Sequence, residues 1–137
     1  MRIMNVDIET YSSVDIKAAG AYAYAEAPDF EILLIAYKID GGPVEVIDLT
    51  RHRNADTWKK PEYRLENLRY MDSVLADALE DPGCVKTAYN ANFERTCLAA
   101  YFKASMPPEQ WRCTAVHAAT LGLPSTLGAA GEALGLP

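Results

Sequence analysis

Four residues, Asp40-Gly41-Gly42-Pro43, separate an apolar, partly β-branched run over 30–39 from an alternating run over 44–49, and no other feature constrains the fold as strongly. Glycine supplies the positive φ of a tight reversal, so the two runs are expected to fold back as an antiparallel β-hairpin. Residues 2–9 alternate around Ile3, Val6 and Ile8 and read as a further strand. Side chains of a strand repeat every second residue, which places Asp7 and Glu9 on one face. Residues 15–19 suggest a helical turn ended by Gly20, with Tyr22 and Tyr24 in an Ala-rich loop that reaches Pro28. From Pro61, whose fixed φ suits a first turn, Leu65, Leu68, Met71, Leu75 and Leu79 form one helical stripe closed by Pro82-Gly83. Residues 84–89 are short enough for a buried strand. Phe93, Cys97 and Tyr101 then recur at four-residue spacing, on a helix that stops before Pro107-Pro108. Two short helices follow, over 114–121 and 125–134. The order strand, hairpin, helix, strand, helix, helix, helix predicts one α/β domain over residues 1–137. Its mixed sheet sets the hairpin beside a central strand, with a crossover to a parallel strand.

Composition narrows the function classes. A chain of 137 residues with 50% hydrophobic residues can bury one ordinary core. It contains no apolar run of membrane-spanning length and no leader-like start, so a cytoplasmic protein with no membrane partner is expected. Three cysteines, Cys84, Cys97 and Cys113, lack paired CxxC spacing and predict reduced thiols rather than a disulfide framework. The net charge of −6 argues against a broad basic coat for nucleic acid, although carboxylates that hold metals also count as negative. One basic island interrupts this balance. Residues 51–70 carry Arg51, Arg53, Lys59, Lys60, Arg64 and Arg69 against Asp56, Glu62 and Glu66, with Trp58, Tyr63 and Tyr70 interleaved. Such a stretch either tracks a single strand by charge and stacking or is a plain solvated face, and both readings stand.

Two constellations carry chemistry. Asp7-Ile8-Glu9 alone is weak, because acids at i and i+2 more often face solvent; the apolar flanks and the hydroxyls of Thr10, Ser12 and Ser13 at the strand's carboxyl end strengthen it. Two carboxylates pointing the same way repel unless a cation lies between them. Tyr89-Asn90-Ala91-Asn92-Phe93-Glu94 sits at a strand-to-helix junction, where Asn suits a cap and Glu suits the first turn; the same Glu would be well placed as a third carboxylate. All three acids fall at strand ends or helix starts, which predicts that they converge. Cys113 and His117 stand four apart but find no second pair for a zinc site.

Asp7-Ile8-Glu9-Thr10 resembles the first motif of the DnaQ-like (DEDD) 3′–5′ exonucleases, and Asn90-Ala91-Asn92-Phe93-Glu94 resembles the second. The segments DIETYSSVDIKAAGAYAYAEAPDFEILLIAYKIDGGPVEVIDL, NANFERTCLAAYF, WRCT and LGLPSTLGAAGEALGL resemble more closely the amino-terminal exonuclease region of phage-encoded family A DNA polymerases, over nearly the whole chain. The resemblance implies an RNase H-like sheet flanked by helices, two divalent ions (Mg²⁺ or Mn²⁺) and proofreading-type hydrolysis of single-stranded DNA at its 3′ end. It assigns metal binding and catalysis to Asp7, Glu9 and Glu94. Thr10, Asn90 and Phe93 would contact the strand, and Lys59, Lys60 and Arg64 of the island are candidates for capturing it. Two departures stand out. The second motif usually ends in Asp rather than Glu94. The third motif, a Tyr or His a few residues before an Asp, is absent: Glu109 and Glu132 are the acids after Glu94, neither has such a partner, and Gly122 excludes His117. A truncated exonuclease domain, inactive alone, lacking the fold's carboxyl-terminal helix and followed by a polymerase domain, is the expectation. An RNA-trimming exonuclease and a non-catalytic domain binding single-stranded nucleic acid or a polymerase partner are the rival readings.

Overall fold

The computed structural model describes residues 2–137. Its sheet has five strands in the order β3-β2-β1-β4-β5. The central strand β1 (Arg2–Tyr11) is antiparallel to β2 (Glu31–Ile39), with Asp7 opposite Ala36, and parallel to β4 (Cys84–Ala88), with Asn5 opposite Thr87. β3 (Glu45–Asp48) completes the hairpin, and β5 (Trp111–Cys113) runs parallel to β4. The expected hairpin beside a central strand and the crossover to a parallel strand are therefore present. Asp40 and Gly41 both take positive φ in the reversal, as its sequence requires.

One face of the sheet is covered. Met4, Val6 and Ile8 of β1, Ile32, Ile35 and Tyr37 of β2, and Cys84, Lys86 and Ala88 of β4 are buried beneath α3 (Arg64–Met71), α4 (Ser73–Glu80) and α5 (Ala91–Phe102), with α1 (Ile16–Glu26) packed on α5. Ile3 is on the other face at 39% exposure, because Val6 and Ile8 set the pleat and only even positions of β1 share their side. That other face carries Asn5, Asp7 and Glu9 and leaves Val44 and Val46 exposed. Asn5 donates from its amide to Thr87 Oγ1 there.

Three boundaries differ from expectation. Gly20 (φ 88°) kinks α1 instead of ending it, so Tyr22 and Tyr24 are helical. The stripe from Leu65 to Leu79 is two helices broken at Asp72, whose extended backbone (φ −155°) and side chain, accepting from Leu75 N at 3.1 Å, start α4. The island folds into a 3₁₀ turn (Leu49–His52), the short helix α2 (Asp56–Lys59) and the start of α3. After β5 the chain forms α6 (Thr114–Thr120) and α7 (Leu127–Ala133), with Val116, Leu121, Leu127 and Leu134 exposed.

Asp72 also accepts a hydrogen bond from the Tyr37 hydroxyl, whose pKa burial and this bond push up. Asp72→Ala removes a cap and strands a part-buried hydroxyl together. Urea unfolding is expected to register a loss of about 2 kcal/mol, with Asp72→Asn losing less.

Candidate active site

Asp7 and Glu9 reach the site from the carboxyl half of β1, where the alternation that buries Val6 and Ile8 turns both acids outward. The pairing with β2 shifts between Glu9 and Thr10, so Leu33 has no partner. Such bulges twist a strand end and re-aim its side chains, which is why they recur beside active sites. Past the bulge, Thr10 Oγ1 lies 2.9 Å from the hydroxyl of Tyr24 on α1. The Tyr24 ring packs in turn against Phe93 on α5, with centroids 5.9 Å apart. Tyr24 thus joins two of the expected strand-binding residues, Thr10 and Phe93. No reading of the sequence singled it out. The spacing of Tyr24 from Gly20 pointed to it only if the helix continued.

Glu94 comes from the other side. Asn90 precedes α5 in the left-handed region (φ 72°), a conformation Asn tolerates, and its side chain makes no capping bond. The expected cap position is occupied, but by backbone geometry rather than by an amide cap. One turn on, Glu94 is 4% exposed, and its Oε2 is buried without a hydrogen-bond partner. Burial first, and the charge of Asp7 after it, push the Glu94 carboxyl up to about 7, against its own backbone amide.

Asp7 and Glu94 are thus within electrostatic reach of one another. The expected three-way convergence is not met: among the described residues no three His, Cys, Asp or Glu side chains gather closely enough to hold a metal ion. Glu9 is exposed on the uncovered face, whereas Glu94 sits in the helix that covers the opposite one. The pair straddles the carboxyl end of the sheet.

Arg64 is built into the fold. Its Nε donates to Trp58 O at 2.9 Å, one Nη donates to Tyr101 O at 3.1 Å, and the guanidinium lies 4.1 Å from the Tyr101 ring centroid. Lys60 is exposed, and Lys59 is exposed with Asp56 at 3.8 Å, a surface pair of little strength. Arg69 is held by Asp77 and Glu80, and Arg51 by Asp48. Much of the island's charge is thus spent within the chain. Cys113 and His117 belong to no group of three or more potential metal ligands among the described residues. Burial works to raise the Cys113 thiol, but the backbone amides of residues 90, 91, 115 and 116 outweigh it and hold the thiol below its ordinary range, while His117 is exposed.

No helix among the described residues is long and apolar enough to cross a membrane. No protein-family model matches the chain. A chain in the structure of the yeast NOT1 MIF4G domain co-crystallized with CAF1 superposes with a TM-score of 0.59 over 98% of this chain and 69% of that one, at 15% identity, which is a likeness of fold alone. A DNA polymerase of Bacillus phage SP02 is 50% identical over 136 residues, 99% of this chain. The match spans 18% of that polymerase's length, so the chain is related to one region of a much larger phage DNA polymerase.

Proposed function

We propose that this chain is the metal-dependent part of a DnaQ-like, RNase H-fold 3′–5′ exonuclease of the proofreading type, acting on single-stranded DNA ends within a phage or prophage DNA polymerase. The observation that carries the reading is the buried Glu94 carboxyl, with an unpartnered oxygen, beside Asp7. A buried acid without a hydrogen bond is costly, and native proteins keep such groups chiefly where they have work to do. An all-oxygen donor set on an acid pair suits a hard divalent cation. Asp7 and Glu94, with Glu9 not gathered to them in the metal-free chain, would contribute to holding two such ions, Mg²⁺ or Mn²⁺, in the completed enzyme, where the ions would supply acidity to the attacking water and offset charge on the phosphodiester oxygens.

The chain's own residues bind and orient. Thr10 and Phe93, braced by Tyr24, form a wall with one hydroxyl side and one aromatic side for the terminal nucleotide. The Asn90 amide, not engaged in capping, offers donors to a sugar or phosphate. Glu94, pushed up to about 7 in the metal-free chain, would give up that proton on binding a cation. The chain offers three of the four acids that the exonuclease resemblance calls for.

A 5′-labelled single strand tests the reading. Shortening from the 3′ end in Mg²⁺, dependent on Asp7, supports it. Cleavage of an RNA strand in preference to DNA would assign the site to RNA trimming, and binding without cleavage by the chain joined to a polymerase would leave a non-catalytic domain. Within this reading, neutralising Lys59 and Lys60 together is expected to raise KM and flatten its salt dependence with kcat largely intact, because phosphate contacts act through binding. Arg64→Ala is expected instead to lower stability by about 2 kcal/mol, since it strips charged hydrogen bonds from Trp58 O and Tyr101 O.

A further inference from the structure

We infer that the cleft at the end of β1, between Tyr11 and Arg53–Lys59, holds the single strand a few nucleotides upstream of its 3′ end, with a base stacked on Tyr11 and phosphates against the two cations. The inference rests on the exonuclease reading for its polarity. It adds a binding subsite outside the acid pair and outside the Thr10–Phe93 wall.

The cleft encloses about 380 Å³. Tyr11 stands on its rim with 51% of its surface exposed, although a tyrosine at the end of a central strand has a buried aromatic neighbourhood available to it: Phe30, Trp58 and Tyr101 of the same cleft are all buried. An exposed aromatic rim over a buried aromatic floor is the form of a stacking platform, since base stacking needs one open π-face and no fixed hydrogen-bond pattern.

Charge and position agree. Tyr11 is opposite Glu31 in the sheet, and Glu31 Oε1 lies 3.4 Å from Arg53 Nε, which brings the guanidinium to the edge of the Tyr11 platform. Lys59 lines the same cleft and is exposed. The acids at the cleft are engaged: Glu31 with Arg53, and Asp29 accepting from Ser13 N at 3.2 Å. Arg53, Lys59 and Arg64 against Asp29 and Glu31 leave the lining with one net positive charge, and the surface pair of Lys59 with Asp56 is weak enough to yield to a phosphate. Tyr11 is four residues beyond Asp7, about 13 Å along the strand at roughly 3.3 Å per residue. A strand stacked at about 3.4 Å per nucleotide covers that distance in about four nucleotides, and a more extended one in fewer. Tyr11 closes β1 at this cleft, just past the irregular pairing whose extra residue, Leu33, lies in β2. The site's two halves are then successive stations on one strand.

The test uses the 137-residue chain in Ca²⁺, with short deoxyoligonucleotides carrying 2-aminopurine at each of the four positions next to the 3′ end. Quenching is expected at one internal position. Tyr11→Ala should abolish that quenching and weaken binding about tenfold, while Tyr11→Phe keeps both. Arg53→Gln with Lys59→Gln should reduce the slope of log Kd against log salt by roughly 0.7 to 1.4. The exposure of all three side chains makes folded variants expected, and circular dichroism verifies them. Binding and quenching unchanged in Tyr11→Ala would overturn the inference, as would no saturable binding below about 10⁻⁴ M. The outcomes separate the two readings. Tyr11-dependent binding without 3′-end hydrolysis in a completed enzyme keeps the cleft and removes the exonuclease, whereas Asp7-dependent hydrolysis indifferent to Tyr11 does the reverse.

Discussion

A chimera that joins these 137 residues to the rest of the Bacillus phage SP02 polymerase is expected to shorten single-stranded DNA from its 3′ end in Mg²⁺. Asp7→Asn in that chimera is expected to lower the rate by about 10³-fold or more, equivalent to about 4 kcal/mol of transition-state stabilisation. The 137-residue chain by itself is expected to show at most a trace. The reasoning is about donors. Asp7 is the acid whose charge already acts on Glu94, so within the proposed function it is the residue through which both carboxyls would share a cation. An amide at position 7 retains shape and hydrogen-bonding capacity but removes the charge. Among the described residues no three potential ligands close on a metal, so the chain alone is expected to hold ions weakly. The 50% identity over 136 residues makes the join structurally reasonable. Time courses on a 5′-labelled oligonucleotide measure all three. Robust 3′ degradation by the short chain, lost in Asp7→Asn, would show that three acids suffice.

How far the sequence disclosed this arrangement depends on whether each determinant is local. The hairpin was legible because Asp40-Gly41 encodes its own turn, and β1 because its alternation survives every environment. The parity of β1 was legible too: Val6 and Ile8 commit even positions to the core, where Met4 joins them, and Ile3 shares the odd face of Asp7 and Glu9. The break at Asp72 was invisible to a stripe of leucines, since a hydrophobic period reports which face is apolar and not whether the helix is continuous. An acid directly before Ser-Val-Leu was the available signal. Gly20 read as a stop because positive φ usually ends helices, but the packing of α1 on α5 through Tyr24 and Phe93 favours resumption after the kink. β5 is three residues long, below what any pattern resolves. Its place is fixed by contacts distant in sequence, Trp111 opposite Lys86, whose buried ammonium reaches Gln110 Oε1 at 2.9 Å. Residue types singled out Asp7, Glu9 and Glu94 as candidates, while burial distinguished their environments and kept the three from converging. The same holds in the basic island, where charge counting could not tell Arg64, pinned over Tyr101, from exposed Lys60.

Glu94→Gln is expected to stabilise the metal-free chain at alkaline pH while removing its response to metal. Folding raises this carboxyl from 4.5 to about 7, chiefly by burial. The folded protein therefore binds the proton more tightly than the unfolded chain. The benefit is fully present below about pH 4.5, falls as pH rises and is lost above about pH 7, where the ionised group costs about 3 kcal/mol. Glutamine has the same shape without the charge. Relative to wild type, its melting temperature should be nearly unchanged at pH 4.5 and higher by about 10 °C at pH 8. Mg²⁺ should narrow the gap. A cation that binds the folded, ionised Glu94 stabilises wild type by mass action, increasingly as the proton leaves, whereas the amide offers a far weaker ligand. Thermal scans of both proteins at pH 4.5 and 8, with and without about ten millimolar Mg²⁺, give a two-by-two comparison within the range of ordinary ligand linkage. If Glu94→Gln lowers stability at pH 8 without metal, the carboxylate has a partner in the fold and is not held in reserve for a cation. If it raises stability but Mg²⁺ still protects it as it does wild type, the ion binds elsewhere and Glu94 is only a strained core residue. The combination expected, a more stable variant that no longer responds to Mg²⁺, is the signature of a residue kept for chemistry at the expense of the fold.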